Sequence, residues 1–260
     1  MYQKEIGWLL QEKYNGKLTA AAKGDIKRLK AGEPLDYVIG FTEFLGCKIM
    51  LNKNVLIPRA ETEFWVQKAI EEIKVNGVGH HTVLDMFAGS GCIGISIMRH
   101  IKNANVVFAD SQKDALSQIK KNCVINTISK NRYATIESDI FSDVKGTFDY
   151  IFANPPYIPN NQKTINKIQK SVIDYEPEAA LFGGKDGLLY ITRFLAEAKS
   201  FLNPNGKIYM EFDGSTGSPQ VPPQKIAIEK MLKTIGYKRW QFHKDQYAKW
   251  RYIDIKYNLS

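Results

Sequence analysis

Asn154-Pro155-Pro156-Tyr157 stands directly behind the apolar run Phe148-Asp149-Tyr150-Ile151-Phe152-Ala153, and here the residue types of the chain point most clearly to chemistry. The run reads as a β-strand, and two consecutive prolines must end it because neither can donate a ladder hydrogen bond. At that end Asn154 offers a side-chain carbonyl and Tyr157 an aromatic face, while the Pro155 carbonyl is spared a local partner because Pro156 has no N–H. Two acceptors and a ring suit a planar group bearing –NH2: the carbonyls take its two hydrogens and the ring packs on its face. The nitrogen of such a group is then the nucleophile, and a nucleobase amine or a side-chain amide would both fit. The plainer alternative is that Pro-Pro only terminates a buried strand and Tyr157 fills core.

A second constellation lies upstream, where Asp85-Met86-Phe87-Ala88-Gly89-Ser90-Gly91 joins a strand to a helix. Glycines let the backbone approach a ligand, and the exposed N–H groups of a helix start favour negative charge. Asp110 closes the next strand, at roughly the 20-residue separation from which a carboxylate accepts ribose hydroxyls in dinucleotide-binding folds. The full G-x-G-x-x-G pattern is absent, with Phe87 in the place of its first glycine, so there is no strong phosphate cradle. S-adenosylmethionine carries a ribose, an adenine and an amino acid but no phosphate. Asp85, Gly89, Gly91 and Asp110 therefore fit it better than they fit NAD. A tight turn with a solvated Asp110 is the plainer reading, and the tetrapeptide one strand pair later weighs against it. Ligands of open parallel sheets lie beyond the carboxyl ends of the strands, and Met86, Asp110, Asp139 and Asn154 all fall at such ends.

The elements that must position these groups follow an α/β rhythm. Strands are predicted over residues 82–86, 105–110, 133–136, 148–153 and 207–212, with helices over 91–100, 114–126 and 187–200, an alternation that implies a parallel sheet. Before it come two short helices over 4–14 and 18–31, the second stopped by Gly32-Glu33-Pro34, then a hairpin over 41–51 around Gly46 and a helix over 61–74. After it come a turn-rich loop from Ser215 to Pro223, a helix over 224–235 and last strands over 240–242 and 250–256. The chain thus divides into a short helical cap (1–33), a β-hairpin linker (34–60) and the sheet domain (61–260).

Composition narrows the class. A chain of 260 residues, 44% hydrophobic and 24% charged, suits one substantial α/β domain with a small appendage. No apolar run approaches the ~20 residues that span a bilayer, and the start Met1-Tyr2-Gln3-Lys4-Glu5 lacks a secretory apolar core, so a cytoplasmic monomer with no membrane contact is expected. Cys47, Cys92 and Cys123 read as reduced core thiols, and His80, His81, His100 and His243 lack ligand spacing, so no metal is expected. The net charge of +9 allows an acidic partner such as nucleic acid without requiring one, because the lysines are scattered and not clustered.

Two further pairs of segments carry a family resemblance. Gly40-Phe41-Thr42-Glu43-Phe44-Leu45-Gly46 runs into Val55-Leu56-Ile57-Pro58-Arg59-Ala60-Glu61-Thr62-Glu63, and Tyr175-Glu176-Pro177-Glu178-Ala179-Ala180-Leu181 into Gly183-Gly184-Lys185-Asp186-Gly187. With the tetrapeptide and the glycine turn, these resemble the class I S-adenosylmethionine-dependent methyltransferases, and within them the HemK/PrmC release-factor glutamine N5-methyltransferases. The resemblance runs from about Glu33 to Gly214 and resumes weakly near Asp245 and Arg251. Asn-Pro-Pro-Tyr alone is shared with enzymes that methylate exocyclic amines of nucleic acid; the flanking segments favour an amide.

The resemblance implies a Rossmann-like, mostly parallel seven-stranded sheet whose last strand is antiparallel. It also implies S-adenosylmethionine as methyl donor, and as partner a peptide-chain release factor whose Gly-Gly-Gln glutamine is the acceptor. Asp85 and the loop Phe87, Ala88, Gly89, Ser90 and Gly91 would hold the methionine side of the cofactor and Asp110 its ribose, while Asp139, Ile140 and Phe141 would cover its adenine. Asn154, Pro155, Pro156 and Tyr157 would bind the glutamine, with Asn154, Pro155 and Tyr157 catalytic and Asn154 also near the donor. Arg59 and Glu61 would help to shape the acceptor pocket. Three departures stand out: Phe87 and Ala88 replace the more usual Gly and Thr, Ala60 replaces a proline, and the N-terminal region is short. A ribosomal-protein glutamine, a nucleic-acid amine, and an inactive release-factor- or ribosome-binding module remain the alternatives.

Overall fold

A computed structural model describes residues 2–76, 79–213 and 224–257. The turn-rich loop expected from Ser215 to Pro223 lies outside the described residues. The chain opens with helices α1 (Tyr2–Tyr14), α2 (Ala20–Lys30) and α3 (Leu35–Ile39). Thr19 starts α2 by accepting the Ala22 N–H on its hydroxyl at 3.1 Å, and Gly40, in the left-handed region at φ 95°, ends α3. The third helix was not expected, because five residues are too short to show a helical period. Leu9, Leu29 and Val38 form the small core of this cap. Around it, Asp25 accepts from Tyr14 at 2.6 Å and pairs with Lys13 and Arg28 at 2.8 Å, while Arg28 forks onto Glu33.

Strands β1 (Phe41–Phe44) and β2 (Cys47–Met50) make the predicted hairpin, with Leu45 and Gly46 both at positive φ, the geometry of a two-residue turn whose twist matches its strands. The hairpin does more than link. Phe44, Cys47 and Ile49 pack into the larger of the two sheet-domain cores. Its outer edge is capped by amide side chains: Asn122 accepts the Met50 N–H at 2.9 Å and Asn126 the Lys48 N–H at 3.0 Å. Those donors would otherwise form an exposed strand edge.

Then follow α4 (Ala60–Asn76), β3 (His81–Met86), α5 (Cys92–His100), β4 (Ala104–Asp110), α6 (Lys113–Ile125), β5 (Tyr133–Glu137) and β6 (Phe148–Ala153). Three short helices, α7 (Gln162–Ile165), α8 (Lys170–Tyr175) and α9 (Glu178–Leu181), precede α10 (Leu189–Ala198), β7 (Leu202–Glu211), α11 (Gln224–Ile235), β8 (Arg239–Lys244) and β9 (Trp250–Lys256). The seven-stranded sheet has the order β5-β4-β3-β6-β7-β9-β8, parallel from β5 through β7, with β9 antiparallel to both of its neighbours. This is the α/β class I methyltransferase sheet that the resemblance implied.

Strict alternation builds a core on each face. Val83, Tyr150, Phe152 and Tyr209 meet α4, α5 and α6, while Leu84, Met86, Ile151, Ala153, Ile208 and Met210 meet α10 and α11. The tetrapeptide strand β6 is therefore the central strand, and the edge at which the prolines stop it is the carboxyl edge. Met86 pairs with Ala153, so the chain leaves β3 and β6 at one level. Strand order reverses between β3 and β6, the switch point at which open α/β sheets form their ligand crevice.

The cap carries a testable pH dependence. Burial works to raise the Asp25 carboxyl, but bonds from Lys13, Tyr14 and Arg28 outweigh it, and the Arg28 fork lowers Glu33 directly. Groups held below their ordinary values stabilise the fold above those values and lose that contribution as pH falls through the lowered ones. Thermal unfolding should accordingly fall in Tm on acidification from about pH 5 to about pH 2, and less steeply in Arg28→Met, which removes the cation common to both acids. Parallel Tm curves for the two proteins would rule this out.

Candidate active site

At the carboxyl edge of the sheet a cleft of about 270 Å³ opens between the loop after β3, the end of β4 and the start of the tetrapeptide. Phe87, Ala88, Gly89, Ser90, Asp110, Asp139, Ile140, Asn154, Pro156 and Arg59 all line it, as does Thr62. The other expected site residues stand behind this surface. Gly91 is the N-cap of α5, at φ 79°, and a Cβ there would press on Ile119 at 3.0 Å. Phe141 is buried, stacked on Phe194 and Phe201, so Asp139 and Ile140 form the wall that all three were expected to form. Pro155 and Tyr157 support the cleft without lining it, and Glu61 does not reach it.

Asp85 sits under the loop. It is fully buried, and its Oδ2 accepts the Gly94 N–H at 2.9 Å, taking up one of the orphan donors in the first turn of α5. Burial drives its carboxyl far above the ordinary range, and its Oδ1 has no partner among the described residues. Asp110 is the acid on the cleft side: Oδ2 accepts the Gly89 N–H and Oδ1 the Gln112 N–H, each at 2.8 Å. Burial raises it as well. These bonds lock the glycine turn to the end of β4 and hold the acid facing the cleft.

The walls are acidic where a nucleoside would lie. Asp110, Asp114 and Asp139 line the cleft, Asp139 paired with Arg193 at 2.8 Å, and the cation among the lining residues, Arg59, is held by Glu176 at 2.6 Å. A pyrophosphate would meet repulsion here, whereas a positively charged nucleoside without phosphate would meet attraction. The donor set thus fits a sulfonium nucleoside better than a dinucleotide. Among the described residues no cluster of His, Cys, Asp and Glu could hold a metal.

Two cleft residues occupy strained backbone. Phe87 at φ 58° and Ile140 at φ 56° are non-glycine residues in the left-handed region, which costs a bulky or β-branched side chain most. Phe87 repays part of this through its ring, set 6.1 Å from Tyr190 and 6.2 Å from Phe194. Ile140 is held by the Ser138 hydroxyl, which donates to its carbonyl at 2.6 Å.

Beside the Asp110 wall stands the corner formed by the tetrapeptide. Among the described residues no hydrogen bond reaches the Pro155 carbonyl, as the missing N–H of Pro156 led one to expect. Behind the tetrapeptide stands a group the sequence reading did not assign: Glu211, the last residue of β7 and 1% exposed. Its Oε2 accepts from the Thr62 hydroxyl at 2.6 Å and the Trp65 indole at 2.7 Å, and its Oε1 from the Tyr157 hydroxyl at 2.8 Å. Burial raises its carboxyl despite these bonds and the nearby Arg251. The Asn154 amide nitrogen in turn lies 3.4 Å from the Thr62 hydroxyl. A glutamate that closes the apolar run Ile208-Tyr209-Met210 was the available signal, since a charge in a buried strand needs partners.

Glycines with backbone at their Cα seat the tetrapeptide from below. A Cβ on Gly183 would come 2.4 Å from the Pro156 carbonyl oxygen, and one on Gly187, at φ 77°, 2.1 Å from that of Tyr157. The same Tyr157 oxygen accepts from Gln224 at 2.7 Å. The segment carrying Glu176 is pinned to the opposite lip, because Glu176 is buried and accepts from both Arg59 and the Ile57 N–H. Arg59 is thus a wall residue held by an ion pair and not a free ligand.

Residues 68–185 match the methyltransferase small domain family. The chain is 34% identical to the release factor glutamine methyltransferase of Flavobacterium psychrophilum over 234 residues, covering 88% of this chain and 78% of that protein. It is 33% identical to that of Lactococcus lactis, covering 97% of this chain and 88% of that one. The chain belongs to the release factor glutamine methyltransferase family. Among solved structures it is similar to the 16S rRNA N2 G1207 methyltransferase of T. thermophilus in complex with AdoMet and guanosine, with TM-score 0.55 and 16% identity over 83% of this chain and 49% of that one. At that identity the likeness speaks for the fold alone.

For this family member the seating of the tetrapeptide is directly testable. Gly187→Ala should displace Tyr157 and Gln224, lowering stability by about 1–3 kcal/mol and turnover with it. Tyr157→Phe, which leaves Glu211 one donor short, should lower stability by about 1 kcal/mol. Urea unfolding checks both, and an unchanged midpoint in either variant contradicts the assigned contact.

Proposed function

We propose that this chain transfers the methyl group of S-adenosylmethionine to the side-chain amide nitrogen of the glutamine in the Gly-Gly-Gln motif of a peptide-chain release factor. The observation that carries the reading is the meeting of two unlike half-sites at one sheet edge. An acidic, phosphate-averse cleft ends at Asn154, where an –NH2 would find the Asn154 side-chain carbonyl on the wall and, behind it, the Pro155 carbonyl that no other group bonds among the described residues. Membership of the family supports the amide over a nucleobase, as does the wall formed by Arg59 and Glu176 in the two segments on which the resemblance rested.

Asp110, presented to the cleft by the Gly89 and Gln112 N–H groups, would accept the ribose hydroxyls, and Ile140 would pack on the adenine. The bound sulfonium supplies an activated methyl group. An amide nitrogen is a poor nucleophile because its lone pair is delocalised, so this chain contributes chiefly by holding the nitrogen in line, worth about 7–11 kcal/mol where geometry is near attack. Acceptors on both amide hydrogens strengthen as the nitrogen becomes positive, favouring the transition state over the ground state. The surplus proton leaves to solvent, and no dedicated base is needed.

Mass spectrometry of a release factor incubated with enzyme and cofactor should find one added methyl on that glutamine; methylation confined to a ribosomal protein or to RNA would overturn the substrate. Asn154→Ala should cut turnover by about 100-fold or more while cofactor affinity stays within a few-fold. Asp110→Ala should do the reverse, weakening cofactor binding by about 10- to 100-fold in a calorimetric titration, and an unchanged affinity would remove Asp110 from the nucleoside site.

A further inference from the structure

The two ends of an asparagine amide are almost the same size, so packing alone does not decide which faces the acceptor. For Asn154 the choice matters: Oδ1 can accept from an incoming –NH2, whereas Nδ2 in that place would set hydrogen against hydrogen. We infer that Thr62 and Glu211 are positioning residues that fix the Asn154 amide with Oδ1 toward the acceptor, through a hydrogen-bond chain of one direction. The inference rests on the reaction proposed above.

The direction follows from counting protons. Trp65 Nε1 can only donate, and it lies 2.7 Å from Glu211 Oε2, so that oxygen is an acceptor. The Thr62 hydroxyl, 2.6 Å from the same oxygen, has one proton and gives it there. Its lone pairs then face Asn154 at 3.4 Å, and only the Nδ2 end can answer them. The order is Asn154 Nδ2–H to Thr62 Oγ, and Thr62 Oγ–H to Glu211 Oε2. The chain does not depend on the charge of Glu211. If the carboxyl gained a proton it would go to Oε1, on the Tyr157 side, and Oε2 would still accept.

The same carboxyl grips both ends of the tetrapeptide, Asn154 through Thr62 and Tyr157 directly. Thr62 reaches it from the first turn of α4, within the 55–63 stretch of the resemblance, and Glu211 from the end of β7. The helix, the end of the central strand and the neighbouring strand therefore meet at one buried carboxyl group.

In asparagine-15N-labelled protein, assigned by comparison with Asn154→Asp, one Nδ2 proton of Asn154 should exchange measurably more slowly than its partner. Thr62→Val, which keeps the shape and deletes the hydroxyl, should abolish that difference, and Thr62→Ser should restore it. With turnover as readout, Thr62→Val should lower kcat by about tenfold or more, with cofactor affinity within twofold, and Thr62→Ser should recover most of it. Glu211→Leu should fall at least as far as Thr62→Val, and Glu211→Gln, whose amide oxygen can keep both incoming bonds, should fall less. Equal and rapid exchange of both Asn154 protons in the unmodified protein overturns the inference whether or not any variant folds, as does wild-type kcat in Thr62→Val. An enzyme that leaves the release factor unmethylated but shows the Thr62-dependent protection retains the chain of hydrogen bonds and loses only the substrate reading.

Discussion

Parallel pairing of β3 with β6, Met86 opposite Ala153, is the constraint on which the site depends. In a parallel ladder both strands point the same way, so their carboxyl ends emerge together at one edge. The glycine turn and the Asn-Pro-Pro-Tyr segment are 68 residues apart between Met86 and Asn154 in sequence, yet they leave the sheet side by side. The reversal of strand order at this pair then keeps the crossover helices from covering the gap, because the connection after β3 runs to one side and that after β6 to the other. Donor and acceptor groups can meet there without any loop having to reach.

Side-chain alternation decides what lies behind that edge. Residues 83, 85, 150, 152, 209 and 211 point to the face of α4 and α5. The two buried acids of the site, Asp85 and Glu211, thus both point into that face, and each meets donors near the start of a helix: the Gly94 N–H in the first turn of α5, and the Thr62 hydroxyl and Trp65 indole in the first two turns of α4. Helix starts carry unpaired N–H groups and partial positive charge, which offsets the cost of burying a carboxylate. In this fold the acids serve as anchors: one holds the helix under the glycine turn, the other holds the helix against the Asn-Pro-Pro-Tyr segment.

Much of this was legible in the sequence, for reasons that also explain the gaps. Long elements with a clear period, such as β3, β4, β6, α6 and α11, emerged near their observed limits. The short helices α3, α7, α8 and α9 did not, because four to six residues carry no period and are set by tertiary contacts such as the Glu176 bonds. Gly89 and Asp110 were legible as residues of a cleft because glycines and a strand-ending acid have local signatures. Phe141 was placed in that wall with its neighbours, but strand-following loops turn, and the turn at Ile140 sends it into core. Glu211 and Thr62 were invisible as a pair because 149 residues separate them, and nothing local announces a hydrogen bond of that span.

The departures from the family pattern at Phe87 and Ala88 also become physical statements. Position 87 adopts φ 58°, a conformation glycine takes freely, so the usual glycine there has a backbone reason. Phenylalanine pays roughly 1 kcal/mol for it, and the aromatic contacts with Tyr190 and Phe194 are of similar size, about 0.5–1.5 kcal/mol each. The exchange therefore leaves the loop shape intact: Gly89 and Gly91 keep positive φ, and the Gly89 N–H still meets Asp110. What changes is the wall, since a ring now stands where a hydrogen atom would have left space. Phenylalanine at 87, its ring against Tyr190 and Phe194 of α10 and its loop held by Asp110, therefore gives the cleft an aromatic wall without loosening the turn.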